Sequence, residues 1–175
     1  MDDVAETLGI FKKTLYELFE NKNNLVQESV TLLLNNTHEK MSGFFQLPES
    51  SSDPFTKIIH IYSVGLKELR NLSPNFLISL KKYYPIAYKS YDDFVKAIVW
   101  TYVLDLLQEA KNNGQSRSNI NIKLICELFL LRINEILLPN RDFFDSYTTE
   151  ELLEHLIIVP LKGIKRANWL PPFLI

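Results

Sequence analysis

Apolar side chains return every three or four positions along most of this 175-residue chain, the spacing of one face of an α-helix. Runs that alternate apolar and polar residues are scarce, so the pattern predicts an all-α protein. Two short helices come first. Val4, Ala5 and Leu8 share a face before Gly9; Leu15, Leu18 and Phe19 share the next, after a turn at Gly9-Ile10-Phe11. A long helix then runs from about Lys22 to Phe45, with Leu25, Val26, Val30, Leu33 and Leu34 on its inner side. The polar stretch Gln46–Pro54 reads as a loop. Asp53 is placed to cap the next helix, with Pro54 at its first position. That helix carries Phe55, Ile58, Ile59, Tyr62, Leu66 and Leu69, and Ser73-Pro74 opens a shorter one.

Further along, Tyr83-Tyr84-Pro85 leads into a helix from about Ile86 to Asn113, which Gly114 ends. Its stripe includes Phe94, Ile98, Val99, Tyr102 and Val103. The loop Gln115–Asn121 precedes a very apolar helix reaching about Leu138. A last helix spans Thr148 to Ala167, capped by Thr148 or Thr149, with Pro160 predicting a kink near Ile157.

The opening pair is the informative part. Two short amphipathic helices joined at a glycine turn are the helix-turn-helix pattern, whose second helix enters the major groove of DNA. Any two packed helices joined at a glycine would match it, so the pattern alone is weak. The detailed text is stronger: Ala5, Gly9, Ile10, Thr14-Leu15-Tyr16, Phe19, Lys22 and Leu25 stand as A-x-x-x-G-I-x-x-x-T-L-Y-x-x-F-x-x-K-x-x-L. This text resembles the DNA-binding region of the TetR family of bacterial transcriptional regulators. It covers about the first thirty residues, and beyond them the likeness lies in length and helical layout.

The resemblance implies a division into residues 1–40, the DNA-binding region with its linking helix, and 41–175, an effector-binding and dimerisation body. It implies that Phe11, Lys12, Lys13, Thr14, Tyr16 and Lys22 meet DNA, with Tyr16 and Lys22 against the phosphate backbone. A half-buried packing role is the alternative for Tyr16, and a solvated face for Lys12 and Lys13. Position 11 is usually a small polar cap in this family, and here it is Phe11. Losing such a cap costs about 1 kcal/mol. TetR-like proteins also carry a basic helix ahead of this motif, and the expectation here is a head that lacks it. Residues 1–40 hold four lysines against seven carboxylates, a net charge of −3. Phosphate neutralisation supplies most non-specific DNA affinity, so the expectation for this chain by itself is weak binding.

Other expectations follow from the body. The helices at about 121–138 and 148–167 are apolar on more than one face, which means burial on several sides. Burial inside one subunit would account for that; the resemblance implies instead a homodimer joined through these two helices. A two-fold dimer in turn matches palindromic double-stranded operator DNA. Small-molecule pockets are mostly apolar with a few directed polar groups, often between helices of a bundle. His60, Tyr62, Tyr84, Tyr88, Trp100 and Tyr102 are the candidates to line one, against the alternative of an ordinary aromatic core. The function so implied is a repressor controlled by a small-molecule effector of unknown identity. The alternative is a dimeric helical ligand-binding or protein-interaction module with lost or weak DNA binding.

Composition adds limits. Net charge is −2, and the single Cys126 excludes an internal disulfide and fits a reducing cytoplasm. No uninterrupted apolar run reaches the ~18 residues of a membrane span. His38, His60 and His155 have no metal-ligand spacing, and Asp92-Asp93 and Glu150-Glu151 read as acids complementing helix dipoles. No phosphate-cradling glycine loop occurs. No enzyme, metal or cofactor is expected.

Overall fold

In the computed structural model, which describes residues 1–46, 53–73, 75–133 and 142–165, local capping sets several helix boundaries. Helix α1 (Asp2–Leu8) stops at Gly9, whose φ of 64° lies in the left-handed region that glycine enters without a Cβ clash. The Ile10 amide donates to the Ala5 carbonyl at 3.0 Å and the Gly9 amide to Glu6 at 3.1 Å. That pair of bonds satisfies carbonyls the helix end would otherwise leave open. Helix α2 (Lys12–Leu18) begins after an extended Phe11 that makes no side-chain cap. Helix α3 (Lys22–Gly43) starts at Asn21, whose side chain accepts from the Asn24 amide at 3.0 Å. A single 3₁₀ turn, Phe44–Gln46, ends it.

Helix α4 (Pro54–Asn71) is capped by Asp53, which accepts from the Thr56 amide at 3.2 Å, with Pro54 in its first turn. Helices α5 (Phe76–Tyr83) and α6 (Pro85–Ala97) follow. A π-helical segment, Ile98–Val103, joins α6 to α7 (Leu104–Asn112) in one continuous rod. Gly114, at φ 69°, closes it. Asn121 caps α8 (Ile122–Leu131) by accepting from the Leu124 amide at 3.1 Å.

The five-residue α9 (Asp142–Ser146) had no periodic signal in the sequence, being barely more than one turn. Helix α10 (Thr149–Leu153) opens on a capping box. The Glu151 amide donates to Thr148 Oγ1 at 3.1 Å, and the Thr148 amide donates back to Glu151 Oε2 at 2.8 Å. Another π-helical segment, Glu154–Ile158, leads into α11 (Val159–Ile164). It lies one residue before the α11 turn that holds Pro160, so the expected disturbance near Ile157 takes the form of a widened turn. Residues 47–52 of the expected loop, Pro74, and the expected helix ends at 134–138 and 166–167 lie outside the described residues.

These helices close over two apolar cores. One gathers Ile58, Val99, Val103, Leu107, Phe129 and Leu161, from α4, the first π segment, α7, α8 and α11. The other gathers Val30, Leu66, Leu80, Tyr91, Phe144 and Leu152, from α3, α4, α5, α6, α9 and α10. Helix α4 contributes to both and packs directly on α3, α7 and α10. Arg70, near its end, fastens α9 and α10 to it. Its Nε donates to Thr149 Oγ1 at 2.7 Å, Nη1 to the Phe144 carbonyl at 2.7 Å, and Nη2 to the Tyr147 carbonyl. No helix among the described residues is long and apolar enough to cross a membrane.

Candidate nucleic-acid interface and ligand cavity

Helices α1 and α2 pack on each other through a very small core. Ala5 and Leu15 are buried, while Phe19 is half-buried. Leu18, on the same predicted face as Leu15, does not join them: it is 68% exposed, and Ile10 in the turn is 37% exposed. Two helices of seven residues each have room for about one inward position apiece, and the rest of their apolar side chains face outward. Phe11 is 85% exposed and Tyr16 half-exposed, so neither acts as a packing residue among the described side chains.

The exposed face of α2 carries the predicted DNA contacts, but its lysines already have acidic partners. Lys12 Nζ lies 2.8 Å from Asp2 Oδ1, and Lys13 Nζ lies 3.8 Å from Glu17. Hydrogen bonding to Lys12 holds the Asp2 carboxyl below the usual carboxylate range, and the same bond raises Lys12 above the usual lysine value. Exposed pairs of this kind contribute little to stability and exchange readily for another anion. Lys22 opens α3, directly after the capping Asn21. Thr14 is half-buried at the side of α2.

Helix α3 runs from this head into the body. Its Gln27 Nε2 donates to Ser90 Oγ on α6 at 3.1 Å, and Lys40 pairs with Glu68 on α4 at 2.7 Å. Between α3, α4 and α6 lies a cavity of about 80 Å³. One water occupies roughly 10–15 Å³ of such space, so the void is several times larger than a water. Helix α3 lines it with Leu33, Leu34, Thr37 and Met41, and α4 with Ile61, Tyr62, Gly65 and Leu66. The α6 rod supplies Tyr91, Phe94 and Val95, then Ile98 and Val99 from its π segment. Single π turns inside helices frequently mark functional sites, because they re-aim side chains that a regular helix would place elsewhere.

The predicted pocket residues are dispersed. Tyr62 lines the cavity. His60 points elsewhere, stacked on Phe44 with ring centroids 4.1 Å apart and its Nε2 3.2 Å from the Lys40 carbonyl. Tyr84 and Tyr88 are partly buried against the second core, and Lys81 sits over the Tyr88 ring. Trp100 is 36% exposed on the outer side of the rod. Tyr102 reaches α3, its hydroxyl 2.9 Å from His38 Nε2. Phe94, and Tyr91, which the sequence did not single out, line the cavity beside Tyr62. Their signal was the apolar stripe itself: Phe94, Ile98 and Val99 continue one face of the rod, and Tyr91 stands one turn before it. Among the described residues no group of three His, Cys, Asp or Glu side chains converges as metal ligands would.

No family model matches the chain. It is 29% identical over 164 residues to an uncharacterized HTH-type transcriptional regulator, YvaF, of Bacillus subtilis (strain 168), covering 94% of this chain and 84% of the relative. Solved structures share its fold across nearly its whole length. A Rhodococcus sp. protein assigned to the TetR family of transcriptional regulators superposes with a TM-score of 0.66 at 15% identity, covering 94% of this chain and 86% of that one. The ketosteroid transcriptional regulator KstR2 of Mycobacterium tuberculosis does so with a TM-score of 0.64 at 15% identity, covering 94% and 84%. The fatty acid degradation regulator FadR of Bacillus halodurans gives 0.60 at 16% identity, covering 92% and 86%.

Proposed function

We propose that this chain, a TetR-like helix-turn-helix regulator, binds palindromic double-stranded operator DNA as a homodimer and acts as a repressor that a small molecule releases. The observation that carries the reading is α3. At one end it follows the exposed face of α2, and at the other it walls the cavity with Leu33, Leu34, Thr37 and Met41. A ligand pressing on those side chains tilts α3 and shifts the head it carries. Such a ligand controls the operator only through unequal affinity for the DNA-competent and DNA-incompetent arrangements.

In this reading Lys12, Lys13, Thr14 and Phe11, at the start of α2, meet phosphates or base edges of the major groove, and Tyr16 and Lys22 hold the phosphates. Phosphate contacts fix register and make affinity salt-dependent, while base-edge contacts discriminate sequence. The full chain is tested by selecting binding sites from a random DNA pool and titrating the enriched duplex by fluorescence anisotropy. The expected result is an inverted repeat, with Lys22→Ala weakening all sequences alike and lowering the salt slope by about 1. Failure of any inverted repeat to enrich overturns the DNA reading.

The pairing of Lys12 with Asp2 and of Lys13 with Glu17 favours a second reading, a dimeric ligand-binding or interaction module with little DNA affinity. Substituting Lys13 and Tyr16 separates the two. Unchanged retention on DNA supports the module.

A further inference from the structure

Charge is unevenly placed around the head. Residues 1–40 carry a net −3, and Lys12 and Lys13 each face a carboxylate of their own chain. From Leu69 to Tyr91, by contrast, the sequence has no Asp or Glu, while it has Arg70, Lys81, Lys82 and Lys89. Arg70 is committed to α9 and α10, and Lys89 is paired with Asp93. Lys81 and Lys82, near the end of α5, are exposed and have no carboxylate partner among the described residues. Their ammonium groups lie instead over the Tyr88 and Tyr83 rings, 5.5 and 4.9 Å from the centroids. A ring quadrupole steadies an ammonium group without neutralising it, so both positive charges stay available to an outside anion.

The register of α3 on α6 sets this corner at the head's end of the body. The two helices run in the same direction: Gln27 meets Ser90, and farther along both, His38 meets Tyr102 of the continuing rod. Followed back toward the head, that register brings Lys22 level with Pro85, the first residue of α6. Val26, one turn beyond Lys22, packs against the same core as Tyr84 and Tyr88. Packed helix axes lie about 8–10 Å apart, so a duplex held at Lys22 runs close to the corner.

We propose that the α5–α6 corner is a second DNA-contacting surface, where Lys81 and Lys82 take backbone phosphates beside those held by Lys22. This rests on the DNA reading of the head. Contacts to phosphate add affinity and salt dependence without reading sequence, and they supply from the body the neutralisation that the acidic head lacks.

Anisotropy titrations of the full chain across a salt series test it, on the enriched inverted repeat and on a scrambled duplex of equal length. The variants are Lys81→Gln with Lys82→Gln, Lys81→Arg with Lys82→Arg, Lys22→Ala, and Lys123→Gln. Lys123 is an exposed lysine on α8, which packs on α7 and the π segment, the half of the rod remote from the head. The double glutamine variant is expected to keep the wild-type circular dichroism and melting temperature. On both duplexes its salt slope falls by about 1 for each lysine in each bound subunit. The double arginine variant keeps the wild-type slope, and Lys123→Gln leaves it unchanged. If Lys22→Ala lowers the slope and the double glutamine variant does not, the corner is overturned while the head's reading stands. A Lys123→Gln loss equal to that of Lys82 does the same, since general charge then explains it. A polyglutamate peptide bound by the wild type and not by the double glutamine variant, with the DNA slope unmoved, assigns the corner to an acidic protein instead. Failure of any inverted repeat to enrich, with no salt-dependent binding to either duplex, overturns head and corner together.

Discussion

At the scale of single residues, the head's chemistry turns on which anion Lys12 faces. Asp2 occupies it in the unbound protein, and the lowered Asp2 carboxyl keeps that pair charged well into acid. In the proposed DNA reading, DNA competes for Lys12 with a carboxylate of the same chain. Asp2→Asn removes the competitor, so affinity for duplex DNA rises several-fold at low salt and the salt slope steepens by about 1. Anisotropy titrations at a series of salt concentrations read both quantities, and an unaltered slope means that Lys12 meets no phosphate. Cys126 is a contrasting case. It is fully buried, and burial pushes its thiol up to about 11. Little thiolate exists at pH 8, so a disulfide reagent reacts with it only after unfolding. Rapid labelling of the native protein would contradict that. Both residues were visible in the sequence as types. Their partners were not, because Asp2 and Lys12 sit on different helices and only the turn at Gly9 brings them together.

Helix boundaries were largely legible, since they depend on groups a few residues apart. Asp53 with Pro54, Thr148 with Glu151, and Gly9 and Gly114 act within one turn of chain. The capping box carries a pH signature. Hydrogen bonds from the Thr148 amide and hydroxyl hold the Glu151 carboxyl below its ordinary 4.5. A depressed acid contributes stability that is present above its unfolded pKa and lost as pH falls through the folded one. Thr148→Ala costs about 1 kcal/mol at neutral pH. It also flattens the acid limb of a melting-temperature profile below about pH 4.5, the ordinary value for that carboxyl. A variant that keeps the wild-type acid limb would deny the box its role. Elements that depend on distant packing were not legible. The π segment at Ile98–Val103 has no local marker; its Ile98 and Val99 line the cavity, while Trp100 on the same segment is 36% exposed and Tyr102 turns to His38. Arg70 belongs to the same class, its partners lying 74 to 79 positions away. Arg70→Lys keeps the charge but not the planar fork, and leaves acceptors on α9 and α10 short of donors. Chemical denaturation is expected to show a loss of about 2 kcal/mol, with a change below ~0.5 kcal/mol counting against the clamp.

On the scale of the whole molecule, the apolar excess of α8 divides into two faces with different fates. Ile122, Cys126 and Phe129 point into the first core, satisfying one side within the subunit. Leu124, Leu128 and Leu131 stand 50, 43 and 52% exposed, and their i, i+4, i+7 spacing makes them a single stripe. Val159 on α11 is 49% exposed as well. Among the described residues, burial inside one chain accounts for the first face and leaves the second exposed. An isologous contact between two copies would cover it with the same stripe from the partner, as two-fold symmetry requires. Because Leu128 is already exposed, Leu128→Glu leaves the fold and its circular dichroism unchanged. It places like charges opposite each other across the two-fold contact, so sedimentation velocity should move from dimer to monomer. Operator binding should fall with it, since a monomer reaches one half-site and loses the second head's contribution. Leu124→Glu should reproduce the result and Lys123→Glu should not, because charge alone is not the cause. A wild-type chain that sediments as a monomer at high micromolar concentration would remove the dimer. With it would go the two-headed geometry proposed for the action of a cavity ligand on DNA.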